Sequence, residues 1–133
     1  MDLADKHLFS WTDWYFGGHL NDNWSISDTA AEFFSRTYAK SIAGRPQEMH
    51  FNVTSKEFKL CYSLAEEGTV TNSPETEIYA SFDRVYPKGL RINTTPNVEL
   101  AQVLNATNTI IVRNKDRGSA ATGSLACVHI SPV

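Results

Sequence analysis

Long apolar runs, clustered positive charge and paired metal ligands are all missing from these 133 residues. The longest uninterrupted apolar stretch is four residues, Leu125–Val128, whereas a membrane-spanning helix needs about 20. No such helix is encoded. Twelve Lys and Arg against fifteen Asp and Glu give a formal net charge of −3, and the basic residues are scattered. Nucleic acid is therefore not an expected partner, because the basic footprint that neutralises phosphates is absent. The chain is the size of one ordinary domain or of a smaller domain with an appendage, and too short for a (β/α)8 barrel of about 250 residues.

Cysteine is scarce. Cys61 and Cys127 are too far apart for a zinc ribbon or a CxxC pattern. They are either a disulfide or two buried thiols on neighbouring strands, alternatives that the separation of their Cα atoms decides. His7, His19, His50 and His129 show no HExxH or helical i, i+4 pairing, so no metal site is expected, and no cofactor is implied. There is no GxSxG elbow, and Gly17-Gly18-His19 is too short to cradle phosphate. The acids Asp13, Asp22 and Glu66-Glu67 lack the arrangement of two carboxyls flanking a glycosidic bond.

What is present is a good supply of core material: seven Phe, five Tyr and three Trp, with 41% hydrophobic residues. Gly44-Arg45-Pro46 forms a breaker cluster between two unlike regions, residues 1–44 and 45–133. In the first, Lys6–Phe16 is dense in aromatics on both alternating faces and predicts a strand covered on both sides, as in a parallel sheet. Thr29 with Glu32 has capping-box spacing. Ala31, Phe34, Tyr38 and Ile42 follow on one helical stripe, predicting a helix over Thr29–Ser41.

After the boundary the period becomes two. Phe58, Leu60, Tyr62 and Leu64 alternate with Lys59, Cys61 and Ser63. Short strands are predicted there and at Thr76–Phe82, Leu90–Asn93, Val98–Leu104, Thr109–Arg113 and Ser124–Ile130, with Gln47–Asn52 as a further one. Lys115–Gly123 is expected to be a hairpin loop. Such spacing, with no helical pattern in between, indicates an antiparallel β-sandwich.

Four Asn-x-Ser/Thr sequons, at Asn23, Asn52, Asn93 and Asn105, are candidate N-glycosylation acceptors and favour a secretory-pathway protein. Met1-Asp2-Leu3-Ala4-Asp5 has neither the basic flank nor the apolar core of a signal peptide. The expected location is secreted or lysosomal, with the signal elsewhere.

Trp11-Thr12-Asp13-Trp14 carries the functional weight, because an indole can lie against the apolar face of a sugar ring. Core packing is the competing role, favoured for Trp11 and evenly balanced for Trp14. Leu3-Ala4-Asp5-Lys6-His7-Leu8 with Ser10-Trp11-Thr12-Asp13-Trp14 resembles the last barrel strand of the endoglycoceramidase-like enzymes of glycoside hydrolase family 5. Arg36-Thr37-Tyr38-Ala39 with Ile42-Ala43-Gly44-Arg45-Pro46 is similar to that family's final barrel helix and its exit into a second domain. Phe58-Lys59-Leu60-Cys61-Tyr62, Glu75-Thr76-Glu77-Ile78-Tyr79 and Tyr86-Pro87-Lys88-Gly89-Leu90 are similar to its sandwich strands. The resemblance runs to about Ile92.

It implies the last β/α unit of a barrel at 1–44 and a β-sandwich at 45–133, from a retaining β-glycosidase that cuts between a glycan and ceramide. It places the two catalytic glutamates on earlier barrel strands, outside this chain, so the chain alone is expected to be inactive. Trp14 matches the tryptophan that lines the sugar subsite next to the cut, and Asp13 stands where an aromatic is often found. A Ser-Trp-Thr-Asp-Trp stretch also occurs in lysosomal glucosylceramidases, whose later sequence does not match. The implied partners are a glycosphingolipid substrate, reached through the barrel, and transient contact with a membrane surface. Two rival roles are a stand-alone carbohydrate- or lipid-surface-binding module, with Tyr79, Phe82 and Tyr86 as the aromatic row, and a purely scaffolding domain.

Overall fold

In the computed structural model, residues 2–12, 16–64, 75–115 and 123–133 are described. Two four-stranded antiparallel sheets face each other, as expected for a sandwich. One has the order β1 (Tyr38–Ser41), β4 (Glu75–Tyr79), β7 (Thr109–Asn114), β6 (Val98–Leu104). The other has β2 (Arg45–Phe51), β3 (Phe58–Ser63), β8 (Leu125–Pro132), β5 (Leu90–Thr94). Period-2 alternation builds the layer between them. Phe58, Leu60 and Tyr62 of β3 pack with Ala126, Val128 and Ile130 of β8 against Ile78, Ile110 and Val112 of the facing sheet. All nine side chains are inaccessible to solvent.

The first region departs from expectation. Over the described part of Lys6–Phe16 the expected strand does not form: Asp2–Lys6 is a short helix, α1, residues 9–12 are irregular, and Phe16 opens a 3-10 turn, while residues 13–15 lie outside the described residues. Leu8 adopts a left-handed conformation (φ 57°). Its N–H bonds to the Asp5 carbonyl and that of Phe9 to the Ala4 carbonyl. This is the Schellman pairing that ends a helix by satisfying its last carbonyls.

The helix expected over Thr29–Ser41 is α2, Asp28–Phe34, and its cap is Ser27, whose Oγ accepts from the Ala30 N–H. Glu32 closes no capping box and instead approaches Lys56 at 3.5 Å. After Phe34 the chain turns extended, and Tyr38–Ser41 pairs with β4. The sandwich thus starts before the expected boundary at 44/45, which falls between β1 and β2.

The crossing from one sheet to the other, at Ile42–Gly44, is tied down by polar groups. The Ala43 N–H donates to Thr76 Oγ1 and the Ala43 carbonyl accepts from Asn114 Nδ2, while Tyr62 donates its phenolic proton to Asn114 Oδ1. Three strands, β3, β4 and β7, are tied to one corner. Gly44 presses on it so closely that a Cβ would sit 2.4 Å from the Ser63 carbonyl oxygen and 2.7 Å from Tyr62 Cδ2.

Cys61 and Cys127 are bonded to each other. They face one another across β3 and β8 with Cα atoms 4.2 Å apart. The separation follows from the ladder: the Cys127 amide donates to Thr95 Oγ1 and its carbonyl accepts from the Thr95 N–H, so the two cysteines form a non-hydrogen-bonded, closely spaced pair.

Two stability outcomes follow. Gly44→Ala should cost about 2–3 kcal/mol in urea denaturation, because backbone and a buried ring must move; an unchanged midpoint would refute the close packing. Replacing both cysteines by serine should cost about 2–4 kcal/mol, since the bond closes a long loop in the unfolded chain, and a loss below about 0.5 kcal/mol would contradict it.

Candidate functional site

The N-terminal segment is held to the sandwich through one buried charge pair. Asp5, on α1, accepts a hydrogen bond from the Arg36 guanidinium, and both residues are buried. The Arg36 guanidinium also lies over the Phe51 ring, 5.4 Å from its centroid, where the electron-rich face attracts a cation. Among the described residues Asp5 is the one acid in the buried set, and its carboxylate is committed to Arg36.

Around this pair the segment and the β1–β2 corner enclose a cleft of about 520 Å³. Its walls include Phe9, Trp11, Phe34, Tyr38, Ile42 and Met49. Phe34, the last residue of α2, is the hub of a ring cluster. Trp11 stacks on it at 6.2 Å, while His19 and Phe33 meet it edge-on at 5.1 and 5.2 Å. Trp11 remains 41% exposed, so it is a half-covered wall rather than the core residue expected. Trp14 and Asp13 lie outside the described residues, as do Glu66, Glu67 and residues 116–122 of the expected hairpin loop.

A second link joins the same junction to the core. The Tyr86 hydroxyl donates its single proton to the Lys56 carbonyl at 3.1 Å, so at 2.9 Å it accepts from Thr37 Oγ1. Burial pushes the Tyr86 phenol up to about 12, against a weaker opposite pull from Thr37. The Tyr62 phenol is also raised, by burial first, with Thr76 opposing.

The exposed aromatic row that the rival binding-module role would need does not form among Tyr79, Phe82 and Tyr86. Tyr79 meets Tyr38 across β1 and β4 with ring centroids 5.2 Å apart and planes tilted by 30°, whereas Phe82 and Tyr86 lie in the β4–β5 connection, Tyr86 buried and Phe82 packed on the core. Asn23, Asn52, Asn93 and Asn105 are all exposed. Groups of three or more His, Cys, Asp or Glu able to hold a metal are absent among the described residues. Sequence reasoning missed Asp5–Arg36 and Thr37–Tyr86, because partners 31 and 49 residues apart leave no periodic trace.

Residues 36–124 match the family model of the glycoside hydrolase family 5 C-terminal domain. The chain belongs to that family. The matched stretch begins at Arg36, the residue that anchors α1, and takes in β1 to β7. This family 5 C-terminal domain is similar to an endoglycoceramidase of Hydra vulgaris, 30% identical over 109 residues, which cover 74% of this chain and 20% of that protein. In fold it is similar to Cryptococcus neoformans sterylglucosidase 1. One crystal structure of that protein superposes with a TM-score of 0.58 at 18% identity, over 77% of this chain and 14% of that one. A second gives 0.56 at 19% identity over the same shares. The chain therefore spans about a fifth of its endoglycoceramidase relative.

Two outcomes test the junction. Arg36→Met strands the Asp5 carboxylate in a buried site, an uncompensated charge worth about 3–5 kcal/mol, so α1 should detach. Tryptic cleavage after Lys6 should accelerate by about 100-fold or more, and Asp5→Asn in the same chain should restore much of the resistance. Equal cleavage rates in wild type and Arg36→Met would refute the anchoring role.

The Tyr86 phenol titrates near 10.0 when unfolded and about 12 when folded. Its contribution is whole below pH 10, because both states then keep the proton, and is lost as pH rises from 10 through about 12. The loss is about 3 kcal/mol at most. Tyr86→Phe should flatten the fall of stability across that window, leaving the part due to Tyr62; an unaltered slope would count against the assignment.

Proposed function

We propose that this chain serves as the C-terminal sandwich of a retaining β-glycosidase that cleaves the bond between a glycan and ceramide, and that alone it has no turnover. The observation that carries the reading is the distribution of uncovered apolar surface. Of the thirteen exposed large hydrophobic side chains among the described residues, eight lie between Leu3 and Tyr38, before or at the first strand. Leu3, Phe9 and Trp24 are 71%, 70% and 83% exposed. The sandwich, by contrast, closes its own core. An uncovered apolar patch of this kind marks an interface, and the occupant proposed is the catalytic barrel.

The chemistry supports the same division of labour. Retaining hydrolysis needs two carboxyls about 5 Å apart, one of them able to give a proton. Asp5 is occupied by Arg36, and Glu48, Glu75 and Glu77 are paired with Lys59, Arg113 and Lys40 on the sheet surfaces. The roles left to this chain are to buttress the barrel and to wall the sugar subsite with the Trp11–Trp14 stretch. Secretory or lysosomal location and a passing contact with the membrane that holds the lipid belong to the same proposal.

The test has two arms. The purified chain, incubated with lactosylceramide or glucosylceramide, should release no sugar; hydrolysis by it would overturn the reading. A chimera carrying this chain in place of the matching region of the Hydra vulgaris endoglycoceramidase should hydrolyse lactosylceramide, and Phe33→Asp in that chimera should cut the rate by about tenfold or more through the lost contact. A folded, inactive chimera would equally overturn it.

A further inference from the structure

We infer that Asn52, Asn93 and Asn105 are N-glycosylation sites whose glycans guard the free strand edges of the sandwich. The inference rests on the secretory location proposed above, and takes its support from where the fold puts the acceptors. The edge strands are β1 and β6 in one sheet and β2 and β5 in the other. Asn52 directly follows β2, Asn93 lies within β5, and Asn105 directly follows β6. None of the three is on the central strands β3, β4, β7 or β8. The fourth edge, β1, carries a bulge and Lys40, features that themselves discourage strand addition.

The need for cover is greatest between β5 and β6. There an open surface groove of about 570 Å³ runs along the margin of the closed core, beside the β4–β5 connection. Ile92 and Leu90 line it from one sheet and Leu100 and Val103 from the other, with Asn105 on its rim. Leu100 and Val103 are 46% and 41% exposed, although their register partners Val112 and Ile110 are fully buried. An exposed apolar edge strand is a template for pairing with a second copy, and bulky hydrated glycans at the end of β6 and on the outer face of β5 block that approach.

Each acceptor suits the chemistry. The Asn Nδ2 attacks the anomeric carbon of an oligosaccharide carried on a lipid diphosphate. The new N–C bond forms as the C–O bond to phosphate breaks; the lipid diphosphate leaves with the electron pair, and Nδ2 gives up one proton to solvent. At Asn52 the Thr54 and Ser55 N–H groups engage Oδ1 rather than the nitrogen. Asn93 pairs with His129 on the outer face of its sheet. All three are exposed, so an attached glycan fits the folded domain.

The experiment is secretion of the full chain from insect cells behind a cleavable leader, with glycopeptide mass spectrometry for occupancy and sedimentation velocity for association. Occupancy of all three sites is expected. In Asn93→Gln/Asn105→Gln the dimer fraction at a fixed concentration should rise about tenfold with an unchanged circular dichroism spectrum. Trimming the folded wild-type glycans to their first sugar should have the same effect, which keeps the test decisive should the variant not fold. Empty sites at Asn93 and Asn105, or trimmed protein as monomeric as untrimmed, would overturn the inference. Because leader-driven secretion does not depend on hydrolase activity, neither result bears on the proposed catalytic partner.

Discussion

The buried contact between Asp5 and Arg36 is the constraint on which the relation of the two regions depends. Two charges removed from water repay their desolvation only when they meet each other in good geometry, so α1 has one seat on the sandwich. Arg36 is also the residue from which the chain passes, through Thr37, into β1. Thr37 carries the restraint inward by its bond to Tyr86, and Tyr86 carries it to the backbone of the β2–β3 turn. A segment whose described residues form only short helices and turns is thereby given a fixed origin, although most of its described apolar side chains stay uncovered.

The sandwich needs no such help. Its two sheets are joined at the Ala43 corner, where Thr76 and Asn114 satisfy the backbone groups that leave the ladder. A buried amide or carbonyl left without a partner would cost about 1–3 kcal/mol. Tyr62 completes the network from the opposite sheet. Among the described residues no buried side-chain nitrogen or oxygen is left without a partner, as expected of a domain whose interior is finished.

Alternation made the β-layer legible. Phe58–Ser63 and Leu125–Pro132 have one wet and one dry face, which period two reports directly. The same reading failed at residues 6–12, the first part of the stretch where aromatics on both faces looked like a doubly covered strand; the segment instead turns at Leu8 and stacks Trp11 on Phe34. Apolar density records that something covers a residue without saying which chain region does. The helix over Thr29–Ser41 failed differently. Tyr38 and Ile42 continue the stripe of Phe34, but pairing with β4 overrides helical propensity, and that partner lies forty residues on. Of the candidate site, the aromatic cluster was visible in the sequence and its ionic anchor was not.

The division between a closed sandwich core and an uncovered N-terminal surface is the observation on which the proposed accessory role rests. Native-state hydrogen exchange of the purified chain measures that division residue by residue. Amides of β3, β4, β7 and β8 should exchange together, at the rate of global unfolding, while those of residues 3–34 exchange at least about 100-fold faster through local opening. Equal protection from Leu3 through β8 would mean that the N-terminal residues share one closed core with the sandwich, and would contradict the division.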